Sequence, residues 1–361
     1  RFGVNVTHPS QAAEIAAPQQ PIKNIILMIG DGMGLAQVNA ARWTARQKNQ
    51  TFNIDTFPVT GLMKTYSRDK LVTDSAASAT AMATGYKTNN HMVAVEPDGD
   101  PIKTIFEAAH EKGLTTGMVV TSSITHGTPA AFATHVEHRE QHTQIATQLI
   151  DSDVNVLMGG GWAYFIPSSA KDSRRDDNRD LLAEAQNKGY TVLRHRKELI
   201  ANKDKKILGL FAEDGLGTSS VEPHITEMTQ AALDRLSNNS KGFLLMIEGS
   251  QIDWGGHHED IEEMIEQTLL FDQAVGTALS FAKKNKETLV LVTADHETGG
   301  MSILKGKPNG SKLKIKLSTD KHTAIDVPVY AYGPNAHIFT GVYDNTDIAK
   351  KIAQLLDLTL D

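Results

Sequence analysis

The chain has 361 residues, of which 40% are hydrophobic and 22% charged, a composition typical of a globular protein with a sizeable core. Its formal net charge of -7, with Lys and Arg dispersed along the chain, argues against nucleic acid as a standing partner. The sequence has no cysteine, which excludes disulfides and thiolate metal ligands, and no apolar run approaches the roughly 18 residues that a membrane-spanning helix needs.

Apolar runs of strand length recur along the chain, with helical patterns between them. They cover residues 24–30, 60–66, 115–121, 154–160, 242–249, 288–295 and 327–333. Continuous apolar strands that alternate with helices are typical of a parallel sheet covered on both faces. The sequence therefore predicts an α/β fold, a three-layer sandwich around a large, mostly parallel central sheet.

The segments outside these strands predict one catalytic domain with small additions. Helical periodicity is clearest over 101–113 and 259–284, and residues 304–316 predict a surface hairpin around Pro-Asn-Gly. Residues 1–21, which contain three Pro and three Gln, predict an N-terminal arm or a loose terminus. We expect residues 22–361 to form a single domain with a small insertion at about 299–322.

Acidic residues and a histidine follow several of the predicted strands. Asp31 follows the first strand, Glu248 ends the fifth, and Asp295-His296 ends the sixth. Taken singly, Asp31 could be a turn residue and Asp295-His296 a helix cap. In open α/β sheets, however, ligands bind at the carboxyl ends of the strands, so these side chains are candidates for one shared site.

Two further groups of residues carry possible chemistry. Asp253 and His257 are four residues apart, which places both side chains on one helical face and suits metal binding, whereas a lone His322 is a weak candidate. Ser75 stands where a strand gives way to a helix of small residues, and the N-terminus of a helix favours an anion such as phosphate. Asp74 or Ser75 could equally be a simple N-cap.

With these residues placed, the chain resembles the alkaline phosphatases, which are metal-dependent phosphomonoesterases of the α/β class. The resemblance extends from about residue 24 to the C-terminus and rests on fragments that occur in the family's order: MIGDGMG, VTDSAASATAMATGYKTNN, HGTPAAFATHVEHR, LMGGGWAYF, MIEGSQIDWGGHHED, VTADHETGG and KHT. It implies a phosphoserine mechanism, a broad substrate range, an alkaline pH optimum, a homodimer, and export to the periplasm or medium. Arg1 in place of Met fits a removed signal peptide.

The resemblance also implies a role for each matching residue. Ser75 would be the nucleophile, while Arg139 would bind two phosphate oxygens and Asp74 would position that arginine. Two Zn²⁺ and one Mg²⁺ are expected per subunit. The first zinc would be bound by Asp253, His257 and His322, the second by Asp31, Asp295 and His296, and the third metal by Asp31, Thr128 and Glu248.

Two positions depart from the best-known bacterial pattern. His126 stands where that pattern has Asp, and Trp254 stands where it has Lys. Because an imidazole can bind metal through nitrogen, the third site could take Zn or Co instead of Mg. Trp254 removes a cation near the phosphate, so we expect weaker product binding.

The alternatives are a related phosphodiesterase or sulfatase, and a non-catalytic phosphate- or metal-binding protein. The segment DSAAS lacks the Pro and Arg of the sulfatase context, and diesterases of this fold usually place Thr where this chain has Ser75. The joint presence of nucleophile, arginine and metal ligands favours an enzyme that hydrolyses small phosphate monoesters.

Overall fold

The computed structural model describes residues 21–217 and 220–360, so nearly all of the predicted N-terminal arm lies outside the described residues. The strands are β1 (Asn24–Gly30), β2 (Val59–Lys64), β3 (Thr115–Ser123), β4 (Val156–Gly160), β5 (Thr191–Leu193), β6 (Ile207–Leu210), β7 (Phe243–Gly249), β8 (Thr288–Thr293), β9 (Glu297–Thr298), β10 (Ser302–Lys305), β11 (Lys314–Lys316), β12 (His322–Thr323), β13 (Val327–Tyr332) and β14 (Gly341–Asp344). The helices are α1 (Leu35–Gln47), α2 (Ser75–Thr84), α3 (Ile105–Lys112), α4 (Gly127–Ala133), α5 (His142–Asp151), α6 (Leu181–Asn187), α7 (Arg196–Ala201), α8 (Ile225–Leu236), α9 (Gln251–His257), α10 (Ile261–Lys284) and α11 (Thr346–Leu356). Short 3₁₀ turns lie at Asn53–Thr56, Trp162–Tyr164 and Ala336–Phe339.

A ten-stranded sheet in the order β14-β2-β13-β8-β1-β7-β3-β4-β6-β5 forms the centre of the fold. Strand β13 runs antiparallel to β2 and β8, and the other pairings in this sheet are parallel. Every residue of β1, β7 and β8 is buried, as expected for strands that are covered on both faces. The predicted α/β fold is confirmed, and all seven apolar runs form strands of this sheet.

The helices cover the sheet in two groups that pack among themselves. Helices α1 and α8 contact α10, which packs on β1, β7 and β8. Helices α3, α4 and α11 contact α2, and α3 packs on β3. Together with the sheet, these groups form the layers of the predicted sandwich.

The two predicted helices form with shorter N-terminal ends. Helix α3 begins at Ile105 because Thr104 is its N-cap and forms a capping box with Glu107, and it ends before Gly113, whose φ of 80° is left-handed. Helix α10 begins after Asp260, whose side chain accepts a hydrogen bond from the Glu263 N–H. Acidic residues in its first turn and lysines in its last complement the helix dipole.

The predicted surface hairpin is confirmed by the antiparallel pairing of β10 with β11. Strands β9 and β12 form a second small antiparallel pair that joins Thr298 to His322. This pair brings a late segment of the chain to the carboxyl end of β8. Among the described residues, no helix combines the length and apolar character required to cross a bilayer.

Candidate active site

The carboxyl ends of four adjacent parallel strands, β8, β1, β7 and β3, meet at one polar site. Asp31 follows β1, Glu248 is the second-last residue of β7, and Asp295 and His296 follow β8. All four side chains are fully buried. The acids that the sequence places at separate strand ends are therefore neighbours in the structure.

Ser75 is the first residue of α2 and lies at the edge of this site. Asp74 is the N-cap of the helix, and its Oδ1 accepts a hydrogen bond from the Ala77 N–H at 3.0 Å. The Ser75 Oγ lies 3.3 Å from Nε2 of His296, and Ser78 Oγ donates to the Asp295 carbonyl at 2.7 Å. All ten residues of α2 are buried, so their small side chains allow the helix to carry Ser75 into the interior.

The site contains three groups of potential metal ligands, and Ser75 contacts His296 of one of them. Within each group, the ligand atoms lie within 4.8 Å of one another. The groups are Asp253 with His257 and His322, Asp31 with Asp295 and His296, and Asp31 with His126 and Glu248. The first two groups contain the residues expected from the sequence, and the third contains Asp31, Glu248 and His126, with the Thr128 hydroxyl as the remaining expected ligand.

In the first group, backbone carbonyls fix the protons of both histidines. His257 Nδ1 lies 2.7 Å from the Asp320 carbonyl, and His322 Nδ1 lies 2.9 Å from the Thr73 carbonyl. Because a carbonyl only accepts, each Nδ1 donates, and in the neutral rings the lone pairs are on Nε2. The two Nε2 atoms lie 3.1 Å apart, at 3.3 Å and 3.4 Å from the carboxylate oxygens of Asp253. This arrangement suits a shared cation.

The second and third groups contain buried polar atoms without a hydrogen-bond partner. They are both carboxylate oxygens of Asp31, Oδ2 of Asp295, Oε1 of Glu248, Oγ1 of Thr128 and Nδ1 of His126. A buried carboxylate without a partner is costly unless a cation or a proton neutralises it. Oxygens and imidazole nitrogen without sulfur are the ligands that zinc and magnesium take, so these residues fit divalent metal ions.

The electrostatics of the acids show the same need for positive charge. Burial raises the pKa of Glu248 to about 8, and burial with the charge of Asp253 raises the pKa of Asp295 to about 6. Burial and the neighbouring carboxylates also raise the pKa of Asp31. Asp253 behaves differently: burial opposes its charged form, but the neighbouring His257 and His322 lower its pKa well below the usual value.

Arg139 contacts Asp74, the residue before Ser75, and is held by two partners. Its Nη1 donates to Oδ2 of Asp74 at 2.9 Å, and its Nη2 donates to Nε2 of His126 at 3.2 Å. Although burial opposes the charged form of Asp74, the Arg139 guanidinium and the Ala77 N–H lower its pKa. The ion pair therefore keeps an arginine in place beside Ser75, with the planar donor set that suits phosphate.

Trp254 lies on α9 and forms another part of the site wall. Its ring is edge-on to that of His126, with 6.4 Å between the ring centroids. The segment that follows β6 packs against it so closely that a Cβ at Gly215 would lie 2.3 Å from Trp254 Cη2. Gly215 therefore fixes where the indole lies.

Sequence reasoning missed several residues that hold these groups in place. The Thr298 hydroxyl donates to Oδ1 of Asp253 and lies 3.3 Å from Nδ1 of His296, so it contacts ligands of two metal groups. His91, with a left-handed φ of 74°, accepts the backbone N–H of Arg139 and places its Nδ1 3.5 Å from Asp74. The only sequence feature that points to Thr298 is its position two residues after His296. No feature of the sequence points to His91.

The histidines that flank Arg139 do not build a further metal group among the described residues. His135 contacts the Ala94 carbonyl and Glu107, and His142 stacks on Tyr164 with 4.7 Å between ring centroids. His138 stacks on His91. Of the three, His138 is exposed, whereas His135 and His142 are partly buried.

The chain is similar to known enzymes over most of its length. A family model described as alkaline phosphatase matches residues 22–312 and 307–358. The chain is 36% identical to alkaline phosphatase 3 of Bacillus subtilis, over 95% of this chain and 90% of that protein. The structure of alkaline phosphatase from the Antarctic bacterium TAB5 is similar, with a TM-score of 0.86, 37% identity, and coverage of 94% of this chain and 99% of that one. A histidine-to-aspartate variant of the TAB5 enzyme, with Mg bound in its M3 site, gives a TM-score of 0.85, 36% identity, and coverage of 94% and 99%.

Proposed function

The chain belongs to the alkaline phosphatase family and is a phosphoric monoester hydrolase, and from this premise we propose that it acts through a phosphoserine intermediate on Ser75. One observation carries the proposal. The Ser75 hydroxyl stands at the N-terminus of α2, between the buried metal-ligand groups and the Asp74–Arg139 pair. Nucleophile, anion-binding donors and sites for cations are thus combined around one oxygen.

The chain's own residues supply binding and the nucleophile. Arg139, oriented by Asp74, binds oxygens of the phosphate group. The Ser75 oxygen forms a bond to phosphorus while the bond to the alcohol oxygen breaks, and the alcohol leaves with a proton. Water then attacks the phosphoserine, the Ser75 oxygen–phosphorus bond breaks, and inorganic phosphate and the serine hydroxyl are released. Two inversions leave the configuration at phosphorus unchanged.

We propose that each subunit holds two Zn²⁺ and a third metal ion. Asp253, His257 and His322 would bind the first, and Asp31, Asp295 and His296 the second. When bound, such ions supply Lewis acidity that stabilises negative charge on the reacting oxygens. Support for divalent metals comes from the unpartnered buried atoms of these groups.

The third metal would be bound by Asp31, Thr128 and Glu248, with His126 as a further ligand. A nitrogen ligand favours Zn or Co, whereas an all-oxygen set favours Mg. Support for a site of this kind comes from the Mg described in the M3 site of TAB5 variants. Metal analysis of the purified protein would identify the ion.

An alkaline pH optimum and a broad substrate range are further parts of the proposal. Because the pKa of Glu248 is raised to about 8, protons compete with a metal at this ligand until the solution is alkaline. The side chains to which we assign substrate binding contact the phosphate group. None of them is a hydrogen-bond donor dedicated to the alcohol, so the alcohol can vary. We also propose, on family membership alone, that the protein is an exported homodimer.

The proposal is tested by hydrolysis of p-nitrophenyl phosphate, compared with the bis-ester and the sulfate. We expect the monoester to be the preferred substrate, with activity lost in a chelator and restored by Zn²⁺ and Mg²⁺. Ser75→Ala should lower kcat by at least about a thousandfold. Preference for the bis-ester or the sulfate would instead support a phosphodiesterase or a sulfatase.

Thr84→Val is a matched control for the serine variant. Thr84 is a buried hydroxyl residue of the same helix, and its Oγ1 donates to the Thr80 carbonyl at 2.8 Å. The control loses a hydroxyl from α2 far from the site, so we expect its kcat to stay within about threefold of the parent. Full activity in Ser75→Ala would refute Ser75 as the nucleophile.

A further inference from the structure

His126 contacts both the residue that binds phosphate and the third group of metal ligands. Its Nε2 lies 3.2 Å from Nη2 of Arg139. The same residue belongs to the ligand group with Asp31 and Glu248. A side chain shared by two binding sites can transmit the state of one to the other.

The bond to Arg139 determines where the imidazole proton is. A guanidinium has no acceptor, so Nε2 of His126 must accept, and its lone pair is used in this contact. Because Nε2 accepts, the ring is neutral in this contact and its single proton is on Nδ1. That Nδ1 is buried and has no hydrogen-bond partner.

Metal binding requires the lone pair that Arg139 uses. A neutral imidazole has one nitrogen with a free lone pair and one that carries a proton. If Nδ1 binds a metal ion, the proton moves to Nε2, which then faces the Arg139 N–H as a second donor. If Nε2 binds the metal, Arg139 loses its acceptor directly. Either way, the contact between His126 and Arg139 cannot persist.

Arg139 remains in place when this contact is lost. Its Nη1 still donates to Asp74, and its backbone N–H still donates to the His91 carbonyl at 2.8 Å. The guanidinium also packs on Gly127, where a Cβ would lie 3.0 Å from Arg139 Cζ. The change therefore frees Nη2, with the rest of the arginine still oriented by Asp74.

We infer that His126 is a positioning residue that couples the third metal site to phosphate binding, since its one lone pair serves either Arg139 or the metal. Without the metal, His126 occupies Nη2 of Arg139 and competes with phosphate for it. With the metal bound, Nη2 is available to a phosphate oxygen. By thermodynamic linkage, phosphate strengthens metal binding by the same factor. The inference rests on the proposed function, in which Arg139 binds phosphate and His126 binds the metal.

The test measures inorganic phosphate binding by calorimetry in a Ser75→Ala background, which prevents phosphorylation. Phosphate binding is measured first with two equivalents of Zn²⁺ bound to the protein, and again after a third equivalent of Zn²⁺ has been added. With the third equivalent, phosphate should gain a hydrogen bond from Nη2 of Arg139, which is a charged group. We therefore expect the Kd for phosphate to fall about tenfold. Part of any gain will be direct attraction between metal and phosphate, which a variant must separate.

His126→Ala provides that separation, because it removes the competing lone pair and leaves Asp31, Thr128 and Glu248. At two equivalents, it should bind phosphate about tenfold more tightly than the parent. When the third Zn²⁺ is then added to saturation, it should lower the Kd of this variant for phosphate by a smaller factor than it lowers the Kd of the parent. Equal gains in the two proteins would overturn the inference.

A second measurement follows the proton itself. In ¹⁵N-histidine spectra, the signal of His126 is assigned as the one that is missing from His126→Ala. When the third equivalent of Zn²⁺ is added, this signal should change from the Nδ1–H to the Nε2–H form, or show a metal-bound Nε2. A His126 that keeps its Nδ1 proton and a free Nε2 after the third equivalent would also overturn the coupling. Failure to bind phosphate in any metal state would contradict the proposed function, and the spectra would still decide the coupling.

Discussion

The hydroxyl of Thr298 offers a direct test of how the first metal group is held. Thr298 is fully buried in β9, and its Oγ1 donates to Oδ1 of Asp253. Valine has nearly the same shape as threonine but has no hydroxyl, so Thr298→Val removes this hydrogen bond without opening a cavity. Water cannot easily replace a donor at a position with no exposed surface.

The expected loss follows from the charge of the acceptor. A hydrogen bond to a charged group contributes about 1.5–3 kcal/mol, and each 1.4 kcal/mol changes an equilibrium constant about tenfold. Substitutions that remove the partner of a metal ligand cost about 10–100-fold in affinity, in agreement with this value. We therefore expect Thr298→Val to bind Zn²⁺ at the Asp253 group at least about tenfold more weakly than the parent.

The assay is competition for Zn²⁺ against a chelating indicator, with thermal unfolding of the metal-free proteins as a check on folding. Thr298→Ser is the matched control, because it keeps the hydroxyl and loses only a methyl group. We expect its zinc affinity to stay within about threefold of the parent. Zinc binding by Thr298→Val within twofold of the parent would refute the role given to this hydroxyl.

Three further predictions concern other parts of the site. Metal-free protein should become less stable to thermal unfolding from pH 7 to pH 8, above the range in which histidines of the unfolded chain lose their protons: folded Glu248 holds its proton up to a pKa of about 8, whereas the unfolded chain loses it near 4.5, and stability that rises with pH over this interval would contradict this. Gly127→Ala should raise KM more than it lowers kcat, because the new Cβ would lie 3.0 Å from Arg139 Cζ; steady-state kinetics test this, and an unchanged KM would show that the arginine adapts. Trp254→Lys should bind inorganic phosphate more tightly, since it adds a cation beside the anion, and calorimetry that shows equal or weaker binding would refute the idea.

The central strands could be predicted from the sequence because their side chains carry the signal. Every residue of β1 is buried, and its apolar run appears in the sequence without interruption. The unpredicted strands lie toward the sheet's two edges. Strand β5 has three residues, and the two residues at the start of β14 are exposed. Such segments become strands through hydrogen bonds from a neighbouring strand, which local composition does not encode.

The site residues also divide into those that the sequence predicts and those that depend on tertiary contacts. Asp31 and Asp295 follow apolar strands, so topology alone brings them together, and the four-residue spacing of Asp253 and His257 places them on one face of α9. The contacts of Thr298 with Asp253 and of His91 with Arg139 join segments that are distant in sequence. They depend on the pairing of β9 with β12 and on a left-handed φ at His91, which are tertiary features.

Trapping the phosphorylated enzyme tests the central claim most directly. The metal-loaded protein would be mixed with a phosphate monoester, quenched in acid, digested and analysed by mass spectrometry. Our account predicts one added phosphate group on the peptide that contains Ser75, absent from Ser75→Ala and from chelated protein. Phosphate on another residue, or its absence at Ser75 in a fully active enzyme under conditions that preserve phosphoserine, would contradict it.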